Sequence, residues 1–395
     1  MNRWLLLLTL ATVPLQATCC WSRWAHPCCD PCPPCCGGSF EVGGQWIYLR
    51  ASSCDFPFVI RDGREFDATD VGIPEVVARL PYGKGRGVAV YYQSGFRASV
   101  GYLSQSGCQD VRIEYTYHHP SDSRRLFAGF IDRGLWPIPM HPRYAANVNL
   151  TGTGANTFDG FETPLYCFPP AVEGDCFAWS SLNVDYDAVD LQLGARTVEK
   201  CTLSLRGYTG LHYLNLDLRQ RYQYSAFSAG LDGVVEPPIP IVASFQTDLL
   251  RKQKLWGIGP LLGGEGRLPL FRGVGIGGHL GIALLAGETS TRYDEHDVRN
   301  FNFDGPVGLP DVDEEATLFT HNRGILFPLI RGSLGVNYRW CCGDCLTVLG
   351  EVGYEFNSYI NCVGHFQFND QRGTGMALCD SYNLDGFYVS LRALL

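Results

Sequence analysis

Apolar and polar residues alternate along much of this chain, most clearly over its last stretch, 383–395. Phe387, Val389, Leu391, Ala393 and Leu395 are apolar at every second position, with Tyr388, Ser390 and Arg392 between them. Successive side chains of a strand point to opposite faces, so this segment has one apolar and one polar face. A transmembrane β-barrel closes on such a strand; a soluble sheet can also end on one.

Nine further segments carry the same rhythm: 40–51, 87–104, 111–117, 182–197, 202–213, 245–263, 272–289, 330–340 and 346–359. In 111–117, Val111, Ile113, Tyr115 and Tyr117 oppose Arg112, Glu114 and Thr116; in 330–340, Ile330, Leu334, Val336, Tyr338 and Trp340 oppose Arg331, Ser333, Asn337 and Arg339. Two segments slip phase, at Ala188-Val189 and Tyr213-Leu214, as a β-bulge would make them. Connections expected near Gln105–Gly107, Glu199–Lys200, Gly264–Pro269 and Cys341–Cys345 are short. Those across 52–86, 120–178, 225–244, 290–323 and 362–382 are long. Short turns at one rim and long loops at the other are the signature of an outer-membrane barrel, and ten such segments in order outweigh the weakness of each. The expected fold is all-β, a transmembrane antiparallel barrel of about ten strands, with eight or twelve open. Tyr102, Tyr115, Tyr117, Tyr213, Tyr338, Trp340, Tyr354 and Phe356 fall on outward faces near strand ends, where aromatic girdles sit.

The N-terminus adds export. Arg3, the apolar run Trp4 to Leu10 and the small residue Ala17 read as a signal peptide over 1–17. The run is too short to be a membrane anchor, and Gln16-Ala17-Thr18 before Cys19 is a poor lipoprotein box. Beyond it no run of 18 apolar residues offers a transmembrane helix, so a membrane-bound form must be a closed barrel. The expected layout is a signal peptide at 1–17, a Cys/Pro-rich periplasmic leader at 18–38, and the barrel at 39–395.

The chain has 17 cysteines. Cys19, Cys20, Cys28, Cys29, Cys32, Cys35 and Cys36 crowd the leader among prolines. Cys-x-x-Cys-x-x-Cys spacing allows zinc, but exported thiols are usually oxidised. Cys28, Cys29, Cys32, Cys35 and Cys36, with Cys341, Cys342 and Cys345, are therefore the candidate disulfide or cross-linking residues. An odd count leaves a thiol for a partner chain. No metal and no cofactor is expected.

Several segments also resemble a known family. Phe40-Glu41-Val42-Gly43-Gly44-Gln45-Trp46-Ile47-Tyr48-Leu49 is similar to its opening strand, and Gly95 to Tyr102 followed by Val111 to Tyr117 to its second hairpin. Val184 to Leu191, Leu255-Trp256-Gly257-Ile258-Gly259-Pro260 and Leu384-Asp385-Gly386-Phe387-Tyr388 complete the pattern. It is that of the Legionella-type pore-forming major outer membrane proteins, found also in chlamydia-related bacteria. The resemblance spans nearly all of the chain after Ser39 and implies an outer-membrane barrel that forms pores. Leu395 departs from the terminal aromatic common in such barrels. The Cys-rich leader is unlike that of many relatives and resembles the disulfide-linked envelopes of chlamydia-like bacteria.

With apolar faces toward lipid, Arg97, Arg112, Glu114, Asp185, Asp187, Asp190, Arg206, His212, His279, Arg331, Arg339, Glu351, Glu355 and Arg392 are expected to line the lumen. Charges of both signs can bound a conduit or pair and block it, and wide channels need about 16 strands or more. Passive diffusion of small hydrophilic solutes is the leading reading, with disulfides stiffening the envelope. A plugged structural or adhesive barrel is the alternative. An outer-membrane hydrolase stands behind both. Its candidates, His118-His119, Asp122, Asp294, Glu295-His296-Asp297 and Asp311 to Glu315, are as well explained by solvated loops, so no enzyme is expected. Asp311 to Glu315 lacks the ligand order of a dedicated Ca²⁺ loop. Gly273 to Gly278 lies in a strand with no helix after it to bind phosphate. Partners are expected to be outer-membrane lipid, small solutes, and this chain or other Cys-rich envelope proteins through disulfides. A net charge of −9 speaks against nucleic acid.

Overall fold

The computed structural model describes residues 38–53, 57–62, 83–87, 91–104, 109–128, 135–137, 174–200, 203–232, 239–271, 273–303, 312–342, 346–368 and 375–395. Fourteen strands run in chain order: β1 (Ser39–Ser52), β2 (Pro57–Asp62), β3 (Gly83–Gly87), β4 (Gln93–Leu103), β5 (Gln109–His118), β6 (Ser121–Ala128), β7 (Leu135–Pro137), β8 (Gly174–Lys200), β9 (Leu203–Asp232), β10 (Ile239–Phe271), β11 (Val274–Phe303), β12 (Val312–Cys342), β13 (Leu346–Phe368) and β14 (Gly375–Leu394). The pairs β1–β4, β4–β5, β5–β8 and every neighbour from β8 to β14 are antiparallel, and β14 returns to β1. The sheet is therefore a closed barrel. β2, β3 and β7 pair among themselves in a small second sheet.

β5 and β6 act as one stave. β5 pairs with β8 up to His118–Tyr186, and β6 resumes on the same strand at Ser121–Asn183. Pro120, with no amide to donate, separates them; its carbonyl accepts from the Val184 amide at 2.9 Å. Counted this way the barrel has ten staves, as expected. The terminal strand pairs with the opening one from Glu41–Leu394 to Ser52–Asn383, and Phe40 and Leu395 exchange hydrogen bonds of 3.0 and 2.8 Å. Among the described residues, each of the ten staves is paired on both sides, so no edge where β1 meets β14 leaves backbone groups unsatisfied in lipid.

One rim carries short turns, between β4 and β5, β8 and β9, β10 and β11, and β12 and β13. The turn expected at Gly264–Pro269 lies further on: β10 continues to Phe271, and the chain reverses at Gly273, whose φ is +84°. A Cβ there would also meet the Arg339 carbonyl oxygen at 2.8 Å. Three of the five expected long loops are largely strand instead. β9 and β10, β11 and β12, and β13 and β14 rise far beyond the expected strand ends. A strand of 30 residues such as β9 is about 100 Å long at ~3.3 Å per residue, whereas crossing hydrocarbon takes about 9–11 residues.

The phase slips are corrected too. β8 and β9 keep one register through Ala188–Leu214 and Val189–Tyr213, with no bulge there. What changes at that level is the character of the two faces. Towards the turns, outward residues are apolar: Leu191, Leu193, Leu205, Leu211, Ile258, Leu262, Leu280, Ile282, Leu334 and Val336 are exposed. Away from the turns the inward residues become largely apolar, with Gln220, Arg251, Gln253 and Glu295 buried further out. Leu182, Val184, Leu214, Leu216, Leu255, Leu285, Phe327, Leu329, Tyr359, Tyr382 and Leu384 are buried together, while Asp217, Arg219, Lys252 and Lys254 take the outward positions. The rings cross the bore because inward glycines make room: a Cβ at Gly257 would lie 2.6 Å from Phe327. Of the girdle residues, Tyr102, Tyr115, Tyr213, Tyr338, Trp340, Tyr354 and Phe356 are exposed on the outer surface.

Candidate functional site: the polar lumen of the membrane belt

Inside the apolar belt, inward positions are taken by ionisable groups in four clusters, two of which share Glu265. Arg97 of β4 donates to both carboxylate oxygens of Glu355 of β13, at 2.9 and 3.0 Å, and lies 3.4 Å from Glu114 of β5. Gln45 of β1 accepts from the same guanidinium and donates to Glu355, each at 3.2 Å. Arg112 bridges Glu265 of β10 at 2.9 Å and Glu41 of β1 at 3.0 Å. Arg206 of β9 joins Asp110 of β5, at 2.8 Å from its Nε, to Glu265 at 2.8 Å, and donates to Gln192 at 3.2 Å.

The fourth cluster lies directly beneath the apolar packing. Asp190 of β8 accepts from Arg331 of β12 and bonds His212 of β9. His212 Nε2 is 3.1 Å from the Tyr359 hydroxyl, which is 2.8 Å from that of Tyr186. Polar and apolar fillings are thus joined through two phenols. His279 bonds Ser333 at 2.6 Å, and Tyr388 donates to Glu351.

A cavity of about 40 Å³ is lined by residues that include Arg97, Arg112, Glu114, Glu265, Arg267, His279, Arg331, Glu351, Glu355 and Arg392. It is room for only a few waters. Among the described residues the bore is filled, by ion pairs in the belt and by apolar side chains above it.

Twelve of the fourteen lumen candidates occupy inward positions: Arg97, Arg112, Glu114, Asp190, Arg206, His212, His279, Arg331, Arg339, Glu351, Glu355 and Arg392. Asp185 and Asp187 do not. They share an outward parity on β8, where Asp187 accepts from the Tyr115 hydroxyl at 2.6 Å and His119 stands 3.5 Å from Asp185. The supposed slip at Ala188 would have put them on the face of Asp190; without it their parity is opposite. Glu41, Asp110, Gln192, Tyr208, Glu265, Arg267, Tyr359 and Tyr388 escaped the sequence reading. Glu41 was legible between Phe40 and Val42. Glu265 and Arg267 required β10 to be carried past Gly263.

The hydrolase candidates do not converge. His118 is buried inside while His119 lies outside. Glu295 is buried and accepts from Tyr293 at 2.6 Å, whereas His296 faces outward, 2.7 Å from Asp313. Burial, with the Glu295 carboxylate next, holds the Tyr293 phenol well above its ordinary pKa, and the hydrogen bond that His296 donates to Asp313 raises that of His296. Among the described residues no three His, Cys, Asp or Glu side chains are grouped to hold a metal ion. Cys28, Cys29, Cys32, Cys35, Cys36 and Cys345 lie outside the described residues, as do the side chains of Cys341 and Cys342, which end β12. Cys362 is buried, its thiol donating to the Tyr359 carbonyl at 3.3 Å.

Solved structures give distant likenesses. The outer membrane protease OmpT from Escherichia coli is 10% identical, with 90% of this chain and 97% of that one covered and a TM-score of 0.35. A Pseudomonas aeruginosa FadL homologue is 7% identical, with 91% and 90% covered and a TM-score of 0.27. No curated protein matches the chain. The family described as Legionella pneumophila major outer membrane protein precursor matches residues 32–395. A closed barrel with an apolar belt, a polar lumen and this match over nearly its whole length place the chain in the bacterial outer membrane, as a member of the Legionella major outer membrane protein family.

Proposed function

We propose that this chain is an outer-membrane pore-forming protein that passes small hydrophilic solutes and ions, and that the filled bore is its closed state. The observation that carries the reading is the contrast between the two fillings. Immediately above the belt the same staves close the bore with Leu, Phe and Tyr, the buried Arg251 and Glu295 lying further out, so closure does not need charges. Well-packed apolar residues in place of buried ion pairs are often neutral or stabilising. Ionisable groups kept at hydrocarbon depth mark a polar path. Opening would require the apolar packing around Leu214, Phe327 and Leu329 to part. Disulfides from the cysteine-rich leader to a second copy or to other envelope proteins would add stiffness, and no hydrolytic role belongs to this reading.

A second reading, a structural barrel with a permanently plugged lumen, is favoured by the small size of the cavity. Planar-bilayer recording of the full-length protein separates the two. The pore reading expects small conductance steps, and in Glu351→Gln a shift of ion preference toward anions, since lining charges set selectivity at close range. Inserted protein that passes no current, unmodified or substituted, would establish the plugged barrel.

A further inference from the structure

On the outer surface, just beyond the apolar belt, three cations stand in register on three successive strands. Arg219 of β9 is the partner of Lys252 of β10, and Lys252 is the partner of Arg292 of β11. All three face outward and are exposed. Directly opposed residues on paired strands have Cβ atoms about 4.5–5.5 Å apart, and like charges so placed repel. Lys254 and Arg221, also outward and exposed, flank the row. Local acids offset only part of this charge. Arg219 donates to Asp217 at 3.0 Å and Arg292 to Asp294 at 2.8 Å. Lys252 lies between them, and Asp185 and Asp248 stand at the margins.

The height of the row says what would cover it. Trp256, Lys254 and Lys252 follow one another up the outward face of β10. Trp256 shares its level with Glu288, and the next outward level down is Tyr213, Ile258, Ala286 and Leu326, fully apolar. Trp256 thus marks the edge of the hydrocarbon. At ~3.3 Å per residue and a tilt of ~40°, Lys254 and Lys252 sit roughly 5 and 10 Å above it, within the headgroup layer. The short turns are at the other rim, so this is the outer leaflet, whose lipid in bacterial outer membranes is a phosphorylated glycolipid.

We propose that Arg219, Lys252 and Arg292, with Arg221 and Lys254 beside them, bind the phosphate groups of the outer-leaflet glycolipid. The acyl chains lie against the belt below, and the aromatic edge of Trp256 meets the sugar. Phosphate supplies the counter-charge that Lys252, between two arginines already shared with acids, lacks, and the guanidinium groups on either side of Lys252 can each present further donors to it. The site stands whether the bore opens or stays plugged.

The test uses the full-length protein extracted in zwitterionic detergent and incubated with purified bisphosphorylated lipid A, the same lipid after enzymatic dephosphorylation, or phosphatidylglycerol. Retained lipid is read by native mass spectrometry and affinity by titration. Bisphosphorylated lipid A is expected to be retained, Lys252→Gln to weaken it about fivefold, and Arg219→Gln with Lys252→Gln about 25-fold, at the affinity typical of one cation at a lipid surface. Arg125→Gln, the same charge change on exposed β6, is expected to leave affinity unchanged. Equal affinity of the double variant would overturn the proposal. So would equal retention of the dephosphorylated lipid, which needs no variant and decides the matter even if a substitution prevents folding. Phosphatidylglycerol held as tightly as lipid A would also overturn it, in favour of any anionic surface.

Discussion

The two halves of the barrel solve opposite solvent problems with the same staves. Toward the turns, β8–β12 turn Leu, Ile and Val outward and Asp, Glu and Arg inward; away from the turns, the same parity carries Leu, Tyr and Phe inward and Asp, Arg and Lys outward. The register is continuous through the exchange in β8 and β9. The hydrophobic effect therefore acts on different faces in each half: lipid takes the outer face of one, and the bore takes the inner face of the other. Backbone geometry determines only that neighbours alternate; the surrounding medium determines which parity is apolar.

The largest expected effect probes the inner face of the belt. Arg331→Ala leaves the Asp190 carboxylate buried with only the His212 imidazole beside it, and removing one member of a buried pair costs about 3–5 kcal/mol. Urea unfolding in lipid vesicles should show it. Arg331→Leu with Asp190→Leu should recover much of the loss, as no charge is then left uncompensated. A double variant as unstable as the single would mean that the pair contributes through shape rather than charge.

The outer face should separate the halves next. Ile282→Arg puts a cation near the middle of the apolar belt and is expected to cost about 2–4 kcal/mol. Gln223→Arg, outward on β9 in the other half, should change stability by no more than about 0.5 kcal/mol. Equal costs at the two sites would refute the exchange of faces. The smallest effect concerns pH. Because Asp313 raises the His296 pKa in the folded protein, its contribution is fully present below the ordinary histidine range near pH 6.5 and is lost as pH rises through the folded value. The difference in unfolding midpoint between the unmodified protein and His296→Gln should shrink as pH rises from below the ordinary histidine value through the raised folded one. A difference that grows instead would rule this pair out.

The exchange also explains what could and could not be read in advance. All ten staves were visible, because each crosses lipid where its outward face is apolar, as with Ile330, Leu334 and Val336. Their extensions read as loops: in 290–303, inward Thr291, Tyr293 and Glu295 alternate with outward Ser290, Arg292 and Asp294, a weak contrast on the opposite parity. Where a single rule of apolar-outward was carried across the exchange, it produced phase slips at Ala188 and Tyr213 and misplaced Asp185 and Asp187. Most inward charges of the belt were legible by parity alone. Their partners were not, since Arg97 and Glu355 or Arg331 and Asp190 meet across the bore, and the bore exists only once the barrel has closed.

The seam between β1 and β14 has a kinetic consequence. Most other stave pairs join neighbours in sequence, several across turns of a few residues, whereas Glu41 meets Leu394 across some 350 positions. The entropy lost on closing a loop grows only with the logarithm of its length, but contacts so remote in sequence form slowly. Hairpins are therefore expected to assemble first into an open, curved ribbon whose two free borders complement one another. Until they meet, each border offers a template to any extended chain nearby, so the lifetime of that ribbon sets how much protein reaches the membrane and how much is lost to aggregation on the way.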